Sequence, residues 1–186
     1  MDRIIAFLIA ILVALHIIDR KGGIGTPIRR YKFHKAKGKY KPINDTFVDL
    51  REKRLSDISN LSERYNAEDV QELILSSNKI TDISPLSEFR NLKRLYLNKN
   101  QIVDISPLAK LKNLEQLFLS NNKISDISSL NDFDKLERLD LNDNEITDIS
   151  PLSQLTCLQI LKLKGNTIND EQIKELKSVL RKCQIY

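Results

Sequence analysis

A strict sequence period constrains this chain more than any other feature of its sequence. Sliding the sequence by 22 positions aligns LKRLYLNKNQIVDISPLAKLKN with LEQLFLSNNKISDISSLNDFDK and with three further copies. An asparagine occupies the same position in every copy: Asn78, Asn100, Asn122, Asn144 and Asn166. A repeat of this length indicates stacked units that each contact only their neighbours, so the copies are predicted to form one solenoid.

Each copy combines two spacings of apolar residues. Leu95 and Leu97 alternate with Tyr96, which predicts a short strand with two residues inward and one outward. After Asn100 the apolar residues fall at every third position, which suits short 3₁₀ turns better than an α-helix: Ile102, Ile105, Leu108, Leu111 and Leu114. Each coil is therefore predicted to contain one strand and one turn on the opposite, convex side.

Three further columns of residues support this assignment. An aspartate precedes each turn, where a carboxylate can accept hydrogen bonds from free N–H groups: Asp82, Asp104, Asp126 and Asp148. Prolines lie just inside three of the turns, where a missing N–H costs least: Pro85, Pro107 and Pro151. The asparagines are predicted to complete backbone hydrogen bonds at the bend after each strand. We assign the Asn and Asp columns a structural role rather than a catalytic one.

The pattern L-x-x-L-x-L-x-x-N-x-L resembles that of the leucine-rich repeat family. More narrowly, it is similar to the 22-residue class found in bacterial internalins and in the regulatory subunit of protein phosphatase 1. The resemblance covers residues 48–186. It implies an α/β repeat solenoid: a leucine-rich repeat arc with a parallel concave sheet, 3₁₀ turns on the convex side and a C-terminal capping helix.

Both ends of the repeat array depart from the period. Residues 48–72 are predicted to form a degenerate capping repeat, in which Lys53 replaces the asparagine, before the regular repeats of residues 73–168. Residues 169–186 are predicted to close the stack, because their apolar residues have helical spacing. The helix is expected over residues 170–182, with Asn169 or Asp170 as its cap.

The two cysteines are predicted to be free thiols. Aligning LRKCQI with LQILKL assigns Cys183 to the core position of Leu161 and Ile185 to that of Leu163. Cys157 falls outside the core. The two sulfurs are then expected to lie roughly 10 Å or more apart, whereas bridged Cα atoms approach within about 7 Å.

Residues 1–18 contain the apolar run IIAFLIAILVALHII at positions 4–18. As a helix the run would span about 22 Å, against roughly 30 Å of bilayer hydrocarbon, so it is predicted to be an anchor or a signal segment. Basic residues follow it closely, and such flanks stay on the cytoplasmic side. An uncleaved anchor with the repeats in the cytoplasm is therefore favoured over export.

Residues 19–47 are predicted to be a basic, poorly ordered linker. Positions 19–45 hold nine Lys or Arg against two Asp, a net charge of +7. Such a segment beside an anchor suits anionic lipid headgroups, although a merely solvated tail explains it equally well. Nucleic-acid binding through Tyr31, Phe33 and Tyr40 is the less favoured alternative.

Catalytic motifs are not found in the sequence. The histidines, His16 and His34, lie outside the repeats, and GGIGT at 22–26 lacks the lysine of a phosphate-binding loop. No Cys/His cluster has the spacing of metal ligands. The chain is therefore predicted to be non-enzymatic, with no cofactor and no metal.

The outward strand positions form the candidate binding surface. Ile74, Tyr96 and Phe118 are expected to face solvent on three adjacent coils, flanked by Arg94 and Arg138. Aromatic and Arg residues dominate interface energetics, so this surface is predicted to bind a protein partner, although ring packing along the strand ladder would instead give the aromatics a stability role. The predicted site comprises Ile74, Arg94, Tyr96, Phe118, Arg138, Asp140 and Lys162.

Three functions fit these features. The first is a membrane-tethered module that recruits a protein partner through its concave face. The second is a secreted or surface-displayed recognition or adhesion protein, as the internalin resemblance implies. The third is a regulatory subunit that docks on an enzyme such as a phosphatase, as the other resemblance implies.

Overall fold

The computed structural model describes residues 35–36, 39–40 and 46–186. All of them belong to the second of the chain's two units, residues 32–186. The predicted apolar segment at 4–18 lies outside the described residues, as does most of the basic linker. Of the helices that are described, none is both long and apolar enough to cross a membrane.

Two very short strands occur within the predicted linker. Strand β1 (Lys35–Ala36) pairs antiparallel with β2 (Lys39–Tyr40), and Lys35 lies opposite Tyr40 in the register. Two residues, one of them a glycine, separate the two strands in the sequence. These four residues lie within the predicted linker at 19–47, which stays a prediction.

Seven parallel strands form the main sheet of the described residues, in the order of the chain. They are β3 (Phe47–Asp49), β4 (Glu72–Ile74), β5 (Arg94–Tyr96), β6 (Gln116–Phe118), β7 (Arg138–Asp140), β8 (Ile160–Lys162) and β9 (Gln184–Ile185). From β4 to β8 the strands pair at the constant offset of one repeat, so equivalent positions of the repeats lie side by side. The predicted α/β repeat solenoid is confirmed.

The facing of the strands follows the predicted alternation. Leu95 and Leu97 are completely buried, whereas Tyr96 between them is half-buried. The same pattern recurs one repeat later, where Leu117 and Leu119 are buried on either side of Phe118. Successive side chains of a strand point to opposite faces, so one set builds the core and the other lines the concave face.

The predicted 3₁₀ turns follow the strands on the convex side. They span Ser84–Glu88, Ser106–Lys110, Ser128–Leu130 and Ser150–Gln154. The aspartates bind the start of each turn as expected: Asp104 Oδ1 accepts from Ser106 N at 2.7 Å. The turn that lacks a proline, Ser128–Leu130, has three residues where the others have five. This agrees with the fixed φ of proline favouring the helical conformation.

The asparagine column joins adjacent coils. Asn100 Oδ1 accepts from Ile80 N at 3.1 Å, while its Nδ2 donates to Leu75 O at 3.0 Å and to Leu97 O at 2.9 Å. Each side chain therefore satisfies backbone groups of its own coil and of the preceding one. The predicted structural role of the asparagines is confirmed.

The first described coil has Lys53 at the position where the other coils have an asparagine. Asn78 of the next coil accepts hydrogen bonds from Lys53 N and Leu55 N, both at 3.0 Å, and donates to Leu50 O at 2.9 Å. Because each asparagine serves the coil before it, Lys53 can replace the residue in the first coil. A one-turn helix, α1 (Leu61–Arg64), takes the place of a 3₁₀ turn there.

The C-terminal cap differs from the prediction in two respects. Helix α2 (Asp170–Val179) is shorter than the expected 170–182, although Asn169 caps it as expected, with Oδ1 accepting from Gln172 N at 2.8 Å. The following strand pairs Leu161 with Ile185, two positions later than the alignment predicted.

Cys183 therefore does not take the core position of Leu161, and Ile185 does not take that of Leu163. An α-helix advances the chain only a short distance per residue, so a coil that contains one needs more residues to return to the sheet. The 22-residue period of the other coils does not predict these extra residues in the last coil. Both cysteines are free, Cys157 being exposed and Cys183 half-buried.

Candidate protein-binding surface

The concave face consists of the outward positions of strands β4 to β8. Its central column contains Ile74, Tyr96, Phe118, Asp140 and Lys162, in that order. A flanking column at the start of each strand contains Glu72, Arg94, Gln116, Arg138 and Ile160. The sheet thus brings all seven predicted site residues onto one surface.

Tyr96 and Phe118 form an aromatic stack at the middle of this surface. Their ring centroids lie 4.7 Å apart and the ring planes differ by 6°. The strand register accounts for this contact, because it places the two residues directly side by side on β5 and β6. Both rings are half-buried, so each keeps part of its surface open to solvent.

The Tyr96 phenol lies within the electrostatic influence of one glutamate and three arginines. Burial raises the pKa of the Tyr96 phenol, as does the nearby Glu72 carboxylate, whereas the guanidinium groups of Arg94, Arg138 and Arg51 act to lower it. The net effect is a raised pKa, so the phenol stays protonated at neutral pH. Tyr96 can therefore donate an O–H hydrogen bond to a partner.

The two predicted arginines differ in how they are held. Arg94 Nε and Nη2 both donate to Glu72 Oε2, at 2.8 and 2.6 Å. This contact raises the pKa of Arg94 further. Arg138 is exposed, and no carboxylate of the described residues forms an ion pair with it. Its guanidinium is therefore available to a partner, whereas that of Arg94 is already engaged.

The last two predicted residues form an ion pair. Lys162 Nζ lies 3.8 Å from Asp140 Oδ2 on the neighbouring strand. Asp140 Oδ1 also accepts from Asn142 N at 3.1 Å, which fixes the carboxylate at the sheet. This part of the surface satisfies its charges internally, and we expect it to contribute little to binding.

Ile74 does not face solvent, so that prediction is wrong. Its exposed fraction is only 7%. In the register it lies between Asp49 and Tyr96, and Arg51 binds Asp49 through two contacts of 3.0 Å. Arg51 and Tyr96, whose side chains are longer than that of the isoleucine, line the same depression as Ile74.

A depression at the N-terminal end of the concave face results from this arrangement. Ile74 forms its floor, the Tyr96 ring is one wall, and Phe47, Arg51 and Glu52 lie around it. Sequence reasoning missed these last three residues. Phe47 could have been found, because it precedes Val48 in the first strand and so takes an outward position, where it is 50% exposed.

The described residues contain no group of three or more His, Cys, Asp and Glu side chains placed to hold a metal ion. The carboxylates of the repeat columns instead bind the backbone of their own turns, as Asp82 does with Ser84 N at 2.8 Å. Hydrogen bonds from the Ser84 hydroxyl and N–H hold the pKa of Asp82 below its usual value. A carboxylate that is stabilised in its charged form is a poor general base.

A parallel sheet built from equivalent stacked repeats is the architecture of a solenoid protein, and sequence comparison identifies the family. Residues 68–110, 90–132 and 134–178 match the family described as Leucine Rich repeats (2 copies). These segments include more than half of the chain. The chain belongs to the leucine-rich repeat family.

Solved structures of similar fold include two internalins from Listeria monocytogenes. One is 30% identical with a TM-score of 0.58, and the alignment covers 71% of this chain and 44% of that chain. Internalin C2 is 32% identical with a TM-score of 0.63, covering 75% of this chain and 70% of that chain. The predicted resemblance to internalins is confirmed.

A third similar structure is the leucine-rich repeat protein LIC12759 from Leptospira interrogans. It is 30% identical with a TM-score of 0.63, and the alignment covers 74% of this chain and 34% of that one. The chain thus spans less than half the length of this protein and of the first internalin. No match is found among the curated proteins.

Proposed function

We propose that this chain is a non-enzymatic module that binds a protein partner through its concave face. The observation that carries the proposal is the Tyr96–Phe118 stack beside the unpaired Arg138. Tyr and Arg are enriched among residues that dominate binding energy, and such residues cluster at the centre of an interface. Membership of the leucine-rich repeat family supports the proposal, since solenoids of this kind offer extended concave binding surfaces.

The rigidity of the surface also supports this function. Both rings stand on strands whose adjacent residues, Leu95 and Leu117, are completely buried. Their stacking limits the conformations that each ring can adopt before binding. A preorganised surface loses less conformational entropy on association, so more of its contact energy appears as affinity.

Replacing Tyr96 and Phe118 together with Ser should abolish partner capture in a pull-down analysed by mass spectrometry. Because the rings are half-buried and stacked, the free energy of unfolding should also fall, by about 1–3 kcal/mol. The fold should persist, since the core leucines are untouched. Circular dichroism and urea unfolding of the same preparation would verify this.

Two matched variants separate binding from stability. Val103→Ser removes an apolar side chain that is 57% exposed but lies off the concave face, so it should change neither capture nor stability. Leu117→Ala creates a core cavity and should lower the free energy of unfolding by about 2–5 kcal/mol, with capture retained below its melting temperature. If the double Ser variant still captures the partner, the concave face is not the binding site.

For the location of the module we propose two candidates. The apolar run at 4–18 and the net charge of +7 at 19–45 support a membrane anchor with the repeats in the cytoplasm. The similarity to internalins supports the alternative, a secreted or surface-displayed protein. Protease added to intact cells should leave the repeats uncut in the first case and degrade them in the second.

A further inference from the structure

The depression beside Tyr96 has the properties of a pocket for an aromatic side chain. Phe118 stacks on one face of the Tyr96 ring, and in the strand order Ile74 lies on the opposite side. The second ring face is therefore directed at the depression, whose floor is the apolar Ile74 side chain. A third ring inserted there would extend the stack, and aromatic pairs are favourable beyond their buried area.

The charges nearest the pocket are paired with one another. Arg51 binds Asp49 and Arg94 binds Glu72, so neither guanidinium is free to bind a partner. The apolar Ile74 side chain and the open face of the Tyr96 ring then determine which side chain fits, and an aromatic ring can contact both.

The exposed Arg138 provides the second contact. Arg94 is engaged by Glu72 and Lys162 by Asp140, whereas no described carboxylate pairs with Arg138. A guanidinium binds a carboxylate through two parallel hydrogen bonds, which gives both strength and orientation. A partner with an Asp or Glu at this position would complete the pattern of ion pairs on the face.

The sheet fixes the distance between the two contacts. Ile74 is on β4 and Arg138 on β7, so three strand spacings separate them. At about 4.8 Å per spacing, and with the two columns about 7 Å apart along the strands, the separation is roughly 16 Å, which an extended chain covers in about five residues. A peptide that crosses the strands would thus place its two anchors three to five positions apart.

We propose that the partner contributes an extended segment with an aromatic residue in the Ile74–Tyr96 pocket and an Asp or Glu, three to five positions away, on Arg138. The proposal deepens the proposed function and rests on it. It specifies the chemistry of the bound segment, in either chain direction.

Selection of a displayed library of random 12-residue peptides against the full chain tests this proposal. The enriched peptides should share an aromatic and an acidic residue at a spacing of three to five. In the best of them, replacing the acidic residue with its amide should weaken binding about tenfold to the wild-type chain. The same replacement should have no effect on binding to Arg138→Ala, because the coupling between the two groups is then already lost.

The aromatic contact is tested in the same way. Changing the aromatic residue of the peptide to Ala should weaken binding to the wild-type chain and to Tyr96→Phe alike, since the ring face is retained in both. Binding to Tyr96→Ala should be weak with either peptide. Fluorescence anisotropy measures all of these affinities.

The outcomes distinguish this inference from the proposed function. Peptides without the pattern, peptides indifferent to Arg138 and Tyr96, or a library with no enriched peptide would each overturn the inference. The pull-down with the double Ser variant is independent of the library. If that variant loses the natural partner while the library result is negative, the concave face binds a partner of different chemistry.

Discussion

Each asparagine of the repeat column stabilises two coils through one buried side chain. Asn100 is only 9% exposed, and its amide makes three hydrogen bonds to backbone groups of residues 75, 80 and 97. Only a side chain with both an acceptor and two donors can make this set. The periodic sequence was sufficient to predict this role, because a buried bend needs a partner for every backbone group.

Asn100→Ala should lower the free energy of unfolding by about 2–4 kcal/mol, because it leaves buried backbone groups without partners. Asn100→Asp should be as harmful at neutral pH, since a carboxylate would face two carbonyl oxygens, Leu75 O and Leu97 O. Burial and these oxygens would raise the pKa of the new carboxyl above its unfolded value. The folded state then binds more protons, so the penalty should grow as pH rises from about 4 to 7.

Urea unfolding at both pH values measures this prediction. Asn113→Ala is the matched control, since Asn113 donates to Arg90 O at 3.0 Å in an exposed position where water can replace it. It should change the free energy of unfolding by less than about 1 kcal/mol at either pH. A pH-independent penalty for Asn100→Asp would contradict the assigned donor role.

The low solvent exposure of Ile74 could not be predicted from the repeat pattern. The two-residue alternation correctly assigns it to the outward face, as it does Tyr96 and Phe118. Arg51, which takes the position of Ser76 in the register, lines the same depression, so a long charged side chain stands there where the next coil has a serine. Periodicity predicts which face a side chain takes, but not the length of its neighbours or the ion pairs that they form.

At the scale of elements, the start of helix α2 (Asp170–Val179) is determined by neighbouring residues in the sequence, whereas its end is not. Its start could be predicted, because Asn169 and the acidic residues of the first turn satisfy free N–H groups and the helix dipole. Its end and the register of β9 could not, because they depend on where the chain must return to the sheet.

Asn169→Ala should lower the free energy of unfolding by about 1 kcal/mol through loss of the contact to Gln172 N. Asn169→Asp should leave the free energy of unfolding nearly unchanged, since aspartate is an equally good N-cap residue. Because the helix covers the last coil, the protection of its amides in hydrogen exchange should fall more than that of the central strands. Equal loss of protection in β5 and β6 would indicate that the cap and the repeats unfold together.

At the scale of the whole repeat unit, the structure is set by nearest-neighbour stacking. Strands β4 to β8 keep one register throughout, and the core runs without interruption from Val48 to Leu180. Each coil therefore contributes its own interface, and no coil depends on a distant one. The sequence was sufficient to predict this architecture because the same 22 positions recur in every regular coil.

Removing one whole period should therefore leave a folded protein. Deleting residues 123–144 joins Asn122 to Glu145, which occupies the position of Lys123, so every later residue keeps its place in the coil. The variant should unfold in one transition, with a lower urea midpoint and a smaller m-value because less surface is buried. Deleting only residues 125–144 falls two positions short of a full period and shifts the later leucines out of the core positions. That variant should lose the coils after the junction, so circular dichroism should show less structure and a smaller unfolding amplitude than for the full-period deletion. If the two deletions behave alike, the period does not determine the fold.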